Sequence, residues 1–303
     1  MPSGKTGFPD LVQNASVPLF LSCPVCHEQL TNLGSLYQCA SGHTFDIAKQ
    51  GYVNLLLAHQ RKSKQPGDNK EMILSRTRFL EQGYYQPISD KVNEVAMASL
   101  MTCEGSDSGR ILDVGCGEGY YLTRLYEALT SHPLDQEPFH HLVGLDISKV
   151  AIREATRRSK HMTWVVASVA SLPLLDASCS LQLNIFAPIN VSEFTRVLEP
   201  LGKLILVTPG PSHLSELRTL LYEEVRENTQ EDVLDRTRTS FTVVQSEHVT
   251  FDISLKNTAD LQNLYRMTPF FWKSSPEAHL RVEQLDTLQT HADVFVRTLQ
   301  KRP

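Results

Sequence analysis

Three of the six cysteines, Cys23, Cys26 and Cys39, lie in the first forty residues, and His43 follows them. The spacing is C-x2-C, twelve residues, then C-x3-H. Two short-spaced pairs on separate turns can converge on one tetrahedral ion, and three thiolates with one imidazole suit zinc. Pro24 and Gly42 fit the tight turns that aim such ligands inward. Ser35 to Gln38 reads as a strand leading into the second pair, as in a zinc ribbon. A disulfide fits poorly, because Val17 to Leu21 is too short and too broken by Pro18 to be a secretion signal. A redox C-x-x-C usually sits inside an α/β unit, and this pair sits in a loop-rich segment. His27 also follows the first pair, but His43 has the better spacing. Four protein ligands leave no open position, so one structural ion per chain is expected. Cys103, Cys116 and Cys179 are isolated and read as ordinary thiols.

The second motif is the loop Asp113-Val-Gly-Cys-Gly-Glu-Gly119. Ile111 to Val114 is a short apolar strand, and Tyr121 to Leu129 reads as a helix. Gly115, Gly117 and Gly119 let a ligand approach the backbone closely. The spacing is G-x-G-x-G rather than the G-x-G-x-x-G that seats a pyrophosphate. Asp113 stands two positions before the first glycine. His141 to Asp146 reads as a second strand ending in a carboxylate, which can accept both hydroxyl hydrogens of a ribose. Asp146 also fits a helix N-cap, since a helical run through Arg158 follows, and the two roles are compatible. Glu118 also reads as a first-turn acid favoured by the helix dipole.

These motifs need elements to hold them. Thr163 to Val166, Cys179 to Phe186 and Gly202 to Val207 read as third, fourth and fifth strands. A doubly wound sheet results, with ligands at the carboxyl ends of its strands. His248 to Leu255 and Ala292 to Leu299 alternate apolar and polar residues and read as a final pair, separated by a helix from Ala259 to about Met267. The chain has 303 residues and 41% apolar content, which supports a buried core and argues against disorder, fibrous repeats and membrane spanning. The expected division is a loose tail over 1–20, a zinc module over 21–58, a basic linker with helices over 59–105 and a catalytic domain over 106–303. The net charge of −5 does not mark a nucleic-acid binder, but its distribution does more. Residues 1–80 carry 8 Lys+Arg against 5 Asp+Glu, and a local basic region can contact phosphates on an acidic protein.

The glycine loop with Asp146 resembles the motifs of class I S-adenosylmethionine methyltransferases. A dinucleotide oxidoreductase is the other owner of such a loop, and the spacing disfavours it. With the zinc module added, the chain resembles the bacterial 23S ribosomal RNA guanine-N1 methyltransferases, the RlmA family. The distinctive stretches are Cys23-Pro-Val-Cys26, Gly42-His-Thr-Phe-Asp46, Lys49-Gln-Gly-Tyr-Val-Asn-Leu55, Pro66-Gly-Asp68, Asp113 to Tyr121, Asp146-Ile-Ser-Lys-Val150, Thr208-Pro-Gly-Pro211 with His213, and Met267-Thr-Pro-Phe270. The resemblance implies an α/β class I methyltransferase fold, a mostly parallel seven-stranded sheet preceded by a small zinc-ribbon-like domain. It implies methyl transfer from S-adenosyl-L-methionine to N1 of one guanine in hairpin 35 of 23S ribosomal RNA, by a homodimer; the lack of a secretion signal and of a long apolar run reads as a cytoplasmic protein with no membrane association. It carries the zinc ligands to Cys23, Cys26, Cys39 and His43, and cofactor contacts to Tyr85, Gly117, Glu118 and His213. Asp146 matches the ribose acid. Three departures stand out: residues 1–20, the long polar loop from Ser131 to His141, and Leu201 where a glycine is common.

Guanine N1 carries a proton at neutral pH, so a base or a solvent path must remove it. His213 is the candidate, Glu118 a lesser one, and His213 reads better as a cofactor-orienting residue; the base stays unassigned. Phe186, Phe270, Phe271 and Trp272 are candidates to receive an unstacked base. The segment from His59 to Leu80 has net charge +4, and its Arg61, Lys62 and Lys64 are the candidate phosphate contacts. Pro66-Gly67 marks a flexible break between module and catalytic domain. Two rivals remain open: a class I methyltransferase of small molecules, and an inactive zinc-ribbon RNA-binding module.

Overall fold

The structure is a computed structural model that describes residues 20–60, 66–102, 109–131, 141–222 and 231–303. Three short strands, β1 (Thr31–Asn32), β2 (Leu36–Gln38) and β3 (Thr44–Asp46), form a small antiparallel sheet beneath the cysteines. β4 (Tyr52–Asn54) follows, then helices α1 (Lys70–Glu81) and α2 (Gln86–Met101). The doubly wound part contains β5 (Arg110–Val114), α3 (Tyr120–Thr130), β6 (His141–Asp146), α4 (Lys149–Arg158), β7 (Thr163–Val166), β8 (Cys179–Ile185), α5 (Val191–Val197) and β9 (Leu198–Pro209). The chain closes with α6 (Ser215–Leu221), α7 (Glu231–Thr237), β10 (Phe241–Leu255), α8 (Thr258–Met267), α9 (Pro269–Lys273), α10 (Pro276–Glu283) and β11 (Leu288–Lys301).

The large sheet runs β10-β11-β9-β8-β5-β6-β7-β4. The strands from β9 to β4 are parallel to their neighbours, and β11 and β10 add antiparallel pairings. The central strands are buried on both faces. β5 is mainly apolar, whereas β8 alternates, and its buried Gln182 and Asn184 donate to the Phe194, Val114 and Pro188 carbonyls. Ile111, Leu181, Ile205 and Val294 belong to one core layer, and Leu112, Val143, Leu204 and Leu299 to the other. The seven expected strands are there. The eighth is β4, whose Val53 pairs with Val165 at the far edge.

Several expected boundaries shift. The fourth strand stops at Ile185, because Phe186 turns the chain with φ +52. The fifth begins at Leu198, and Leu201 sits in left-handed backbone at φ +62, which explains why glycine suits that position. Three helices rather than one separate the last two strands, because Pro269 and Pro276 each restart the helix at its first turn. Phe20 is buried, and its carbonyl accepts the Leu175 N–H, so the chain is already packed there; residues 1–19 lie outside the described residues. So do Cys103, most of the Ser131–His141 loop, and Arg61, Lys62 and Lys64.

The expected flexible break at Pro66-Gly67 is a packed turn. Gly67 takes φ +80, and a Cβ there would meet Ile147 and Ser148. The Asp68 carbonyl accepts the Ser148 hydroxyl at 2.7 Å. Asn69 then caps α1 by accepting the Met72 N–H at 3.0 Å. Among the described residues, no helix is long and apolar enough to cross a membrane.

Candidate functional site

The four zinc-type residues converge. One ligand atom from each of Cys23, Cys26, Cys39 and His43 lies within 4.8 Å of all the others. The Cys26 and Cys39 sulfurs are 3.5 Å apart, and His43 Nδ1 lies 3.4 Å from Cys39 Sγ and 3.7 Å from Cys23 Sγ. A tetrahedral zinc with sulfur at about 2.3 Å and nitrogen at about 2.0 Å puts its ligand atoms roughly 3.5–3.8 Å apart. Three of the six ligand-atom pairs stand close to those separations, and the cluster fits the ion. Both turns are built for it. The Val25 N–H points at Cys23 Sγ, and Gly42 at φ +86 returns the chain so that its N–H bonds the Cys39 carbonyl. Sequence reading passed over Glu28, whose carboxylate accepts the Ser41 N–H at 2.9 Å and so ties the first turn to the second. The module is fixed to the catalytic domain, since Ser22 N–H donates to the Pro173 carbonyl and Cys23, Leu30 and Tyr37 share a core with Leu174 and Phe194.

The glycine loop opens a cavity of about 510 Å³ at the carboxyl ends of β5, β6 and β8, a size ordinary for a cofactor site. Asp113, Gly115, Gly117, Glu118, Asp146, Tyr85 and His213 all line it. Asp146 accepts the Gly117 N–H at 3.0 Å through Oδ2 and the Ser148 N–H at 2.7 Å through Oδ1. Each oxygen retains a lone pair for a further donor. The helix cap is Ser148 rather than Asp146, because its hydroxyl accepts the Ala151 N–H. Gly119 does not line the cavity. It takes φ +82 at the start of α3, and a Cβ would strike Trp164 and Ala155. It is glycine for packing.

Acidic groups crowd the floor. Burial, then the charges of Asp146 and Glu118, push the Asp113 carboxyl up to about 8. Burial also raises Glu118, opposed by Arg158, whose guanidinium meets its carboxylate at 2.8 Å. Tyr121 lines the same cavity, and its buried hydroxyl has no partner among the described residues. A cationic, nitrogen-bearing cofactor fits such a set: carboxylates to meet charge and an unpaired hydroxyl to meet a polar group.

Tyr85 and His213 form the opposite wall, with Tyr85 Oη 3.3 Å from His213 Nε2. Burial draws the His213 ring down to about 4, so it is neutral at pH 7. Its Nδ1 accepts the Asp293 backbone N–H at 3.2 Å, which leaves the ring proton on Nε2. Phe186 stacks on this ring at 5.8 Å, is 40% exposed, and lines the cavity mouth together with Phe270. Phe271 packs instead against Tyr265 and His279, and Trp272 next to it is half exposed; neither lines the cavity. Of the basic segment, Arg76 pairs with Asp68 at the cavity rim, so it serves the site rather than a free surface.

Comparison with known proteins agrees with the fold and with the zinc module. Residues 21–64 match the RlmA N-terminal zinc-ribbon family, and residues 106–267 match a methyltransferase domain family. The chain is 33% identical over 268 residues to a Streptomyces fradiae protein named 23S rRNA (guanine(748)-N(1))-methyltransferase, covering 86% of this chain and 89% of that one. A Micromonospora griseorubida protein, provisionally named a 23S rRNA (guanine-N(1)-)-methyltransferase, is 36% identical over 65% of this chain and 68% of its own. A Bacillus subtilis protein with the same provisional name is 29% identical over 90% of this chain and 94% of its own. Similarity over nearly the whole of both chains, zinc ribbon and methyltransferase domain included, makes this chain a member of the 23S rRNA (guanine-N1)-methyltransferase family.

Proposed function

We propose that this protein transfers a methyl group from S-adenosyl-L-methionine to N1 of a guanine in 23S ribosomal RNA, with hairpin 35 as the site. The observation that carries the reading is the cavity itself, with a ribose-type carboxylate at one end and an aromatic, open mouth at the other. S-adenosyl-L-methionine supplies an electrophilic methyl group on a sulfonium. Asp146 and the Gly117 backbone hold the ribose end; Asp113, Glu118 and Tyr121 meet the charged end; Phe186 and Phe270 receive the unstacked guanine. Holding the base in line with the methyl group supplies most of the acceleration. The nitrogen–carbon bond forms as the sulfur–carbon bond breaks, and the N1 proton leaves to solvent at the mouth. His213 is a poor acceptor for that proton, because both ring nitrogens are engaged and its pKa is about 4. Its role is to orient the cofactor. The cytoplasm, where the RNA is made, is the place of action, and a homodimer is the working form. Tritium transfer from labelled cofactor tests the reading: label at guanine N1 of the RNA is expected, and label only in a metabolite extract overturns it.

Two further outcomes follow from the site. A permanent cofactor cation beside Asp113 favours its carboxylate, so binding below about pH 8 releases a proton. Affinity should therefore rise with pH up to about pH 8 and then level. Calorimetry in buffers of different ionisation enthalpy reads the proton directly. Neutralising Arg61, Lys62 and Lys64 should lower the salt slope of RNA binding by about 2 to 3 and leave the choice of guanine unchanged. Filter binding at several salt concentrations measures that slope.

A further inference from the structure

Asp293 lies on β11 one residue beyond the last pairing with β9, where Val294 faces Pro209. The chain leaves the sheet there as Gly210-Pro-Ser-His213, and Asp293 meets that turn at every level. Its carbonyl accepts the Gly210 N–H at 2.6 Å. Its N–H donates to His213 Nδ1 at 3.2 Å, and its carboxylate accepts the Ser212 N–H at 2.8 Å. The other carboxylate oxygen lies 2.6 Å from Nε2 of His248, a half-exposed residue of β10 stacked on Phe295 at 4.4 Å. The carboxylate rests directly on the Gly210 Cα, so any Cβ at 210 would overlap it. Arg218 grips the same turn from α6 through the Pro211 carbonyl.

A buried carboxylate needs compensation, and here it comes from one backbone amide and one imidazole. That arrangement is more than sheet stability requires, since β10 and β11 are already continuously paired on either side of the site. What it adds is a fixed shape for four residues, the last of which forms the cavity wall. We infer that Asp293, held by His248, is a positioning residue for the cofactor: its carboxylate clamps the 210–213 turn, and its backbone fixes the His213 ring with Nε2–H toward the cavity. The inference rests on the reading that His213 faces the cofactor.

The test is steady-state methyl transfer and direct cofactor binding with the full chain. Asp293→Ala should raise KM for S-adenosylmethionine about tenfold and change kcat at saturation less than about threefold, since one charge-assisted bond to the turn is lost. Asp293→Asn keeps an acceptor for Ser212 and should restore KM to within about twofold. A purely structural residue would lower the melting temperature without this split. Should Asp293→Ala fail to fold, Gly210→Ala pushes the turn off the same carboxylate and should raise KM likewise. His213→Ala separates the two readings. If it raises KM while Asp293→Ala and Gly210→Ala do not, the clamp is wrong. If it leaves KM unchanged, His213 does not face the cofactor, and the clamp falls with that reading.

Discussion

Asp146→Ala should weaken S-adenosylmethionine binding by about thirtyfold to a thousandfold, the equivalent of roughly 2 to 4 kcal/mol for two charge-assisted hydrogen bonds to the ribose. The structure gives a reason to expect the upper part of that range. The same carboxylate accepts the Gly117 and Ser148 N–H groups, so its loss also releases the glycine loop and the start of α4. Asp146→Asn separates the two effects. It retains an acceptor for one backbone amide but offers the ribose fewer lone pairs, so it should fall between wild type and alanine. Gly117→Val should match the alanine variant by another route. Gly117 takes φ +56, and a side chain there is strained and meets the Arg76 guanidinium at the cavity rim. Calorimetric titration of the three variants checks the set. Affinity unchanged in both Asp146→Ala and Gly117→Val would remove this end of the cavity from the cofactor.

The parts of the site readable in the sequence are those whose geometry is local. A C-x2-C and a C-x3-H each set ligand spacing within one turn, so Cys23, Cys26, Cys39 and His43 could be named before any fold was known. The strand, glycine loop and helix from Arg110 onward are likewise one continuous unit. What stayed hidden depends on register between distant segments. Asp293 meets His213 across eighty positions, and nothing in the local sequence around either residue marks the pairing. Gly119 shows a different limit. A glycine kept free for a ligand and one kept free for Trp164 look alike, because both report only that a Cβ has no room. β4 escaped because three residues are too few to show a period of two. Tyr121 was visible as one of two adjacent tyrosines, yet only the cavity shows that its hydroxyl has no partner among the described residues.

Cys39→Ala should reduce bound zinc from about one per chain to a small fraction, because three remaining ligands hold a structural ion far more weakly. The consequences should divide along the chain. Phe20, Leu21, Cys23, Leu30 and Tyr37 pack with Cys39 into a core shared with Leu172, Leu174 and Phe194, so losing the ion loosens that layer of apolar contacts. The central strands β5, β6 and β8 and the glycine loop are built from other segments and should persist. The shared core reaches the cofactor end through Leu112, Val114, Val143 and Leu145, whose strands β5 and β6 are held by sheet pairing that does not involve the metal. Cofactor affinity should therefore fall by less than about threefold, while RNA methylation should fall by at least about tenfold, the scale seen when the support of a metal site is removed. Metal analysis, cofactor calorimetry and tritium transfer on one preparation of the variant measure all three quantities. Equal losses in cofactor binding and methylation would show that the zinc module acts through the cavity and not as a separate grip on the RNA. Partial proteolysis confined to residues 21–58 would locate the loosening in the module itself, since that stretch contains all four ligands and ends within a few residues of β4.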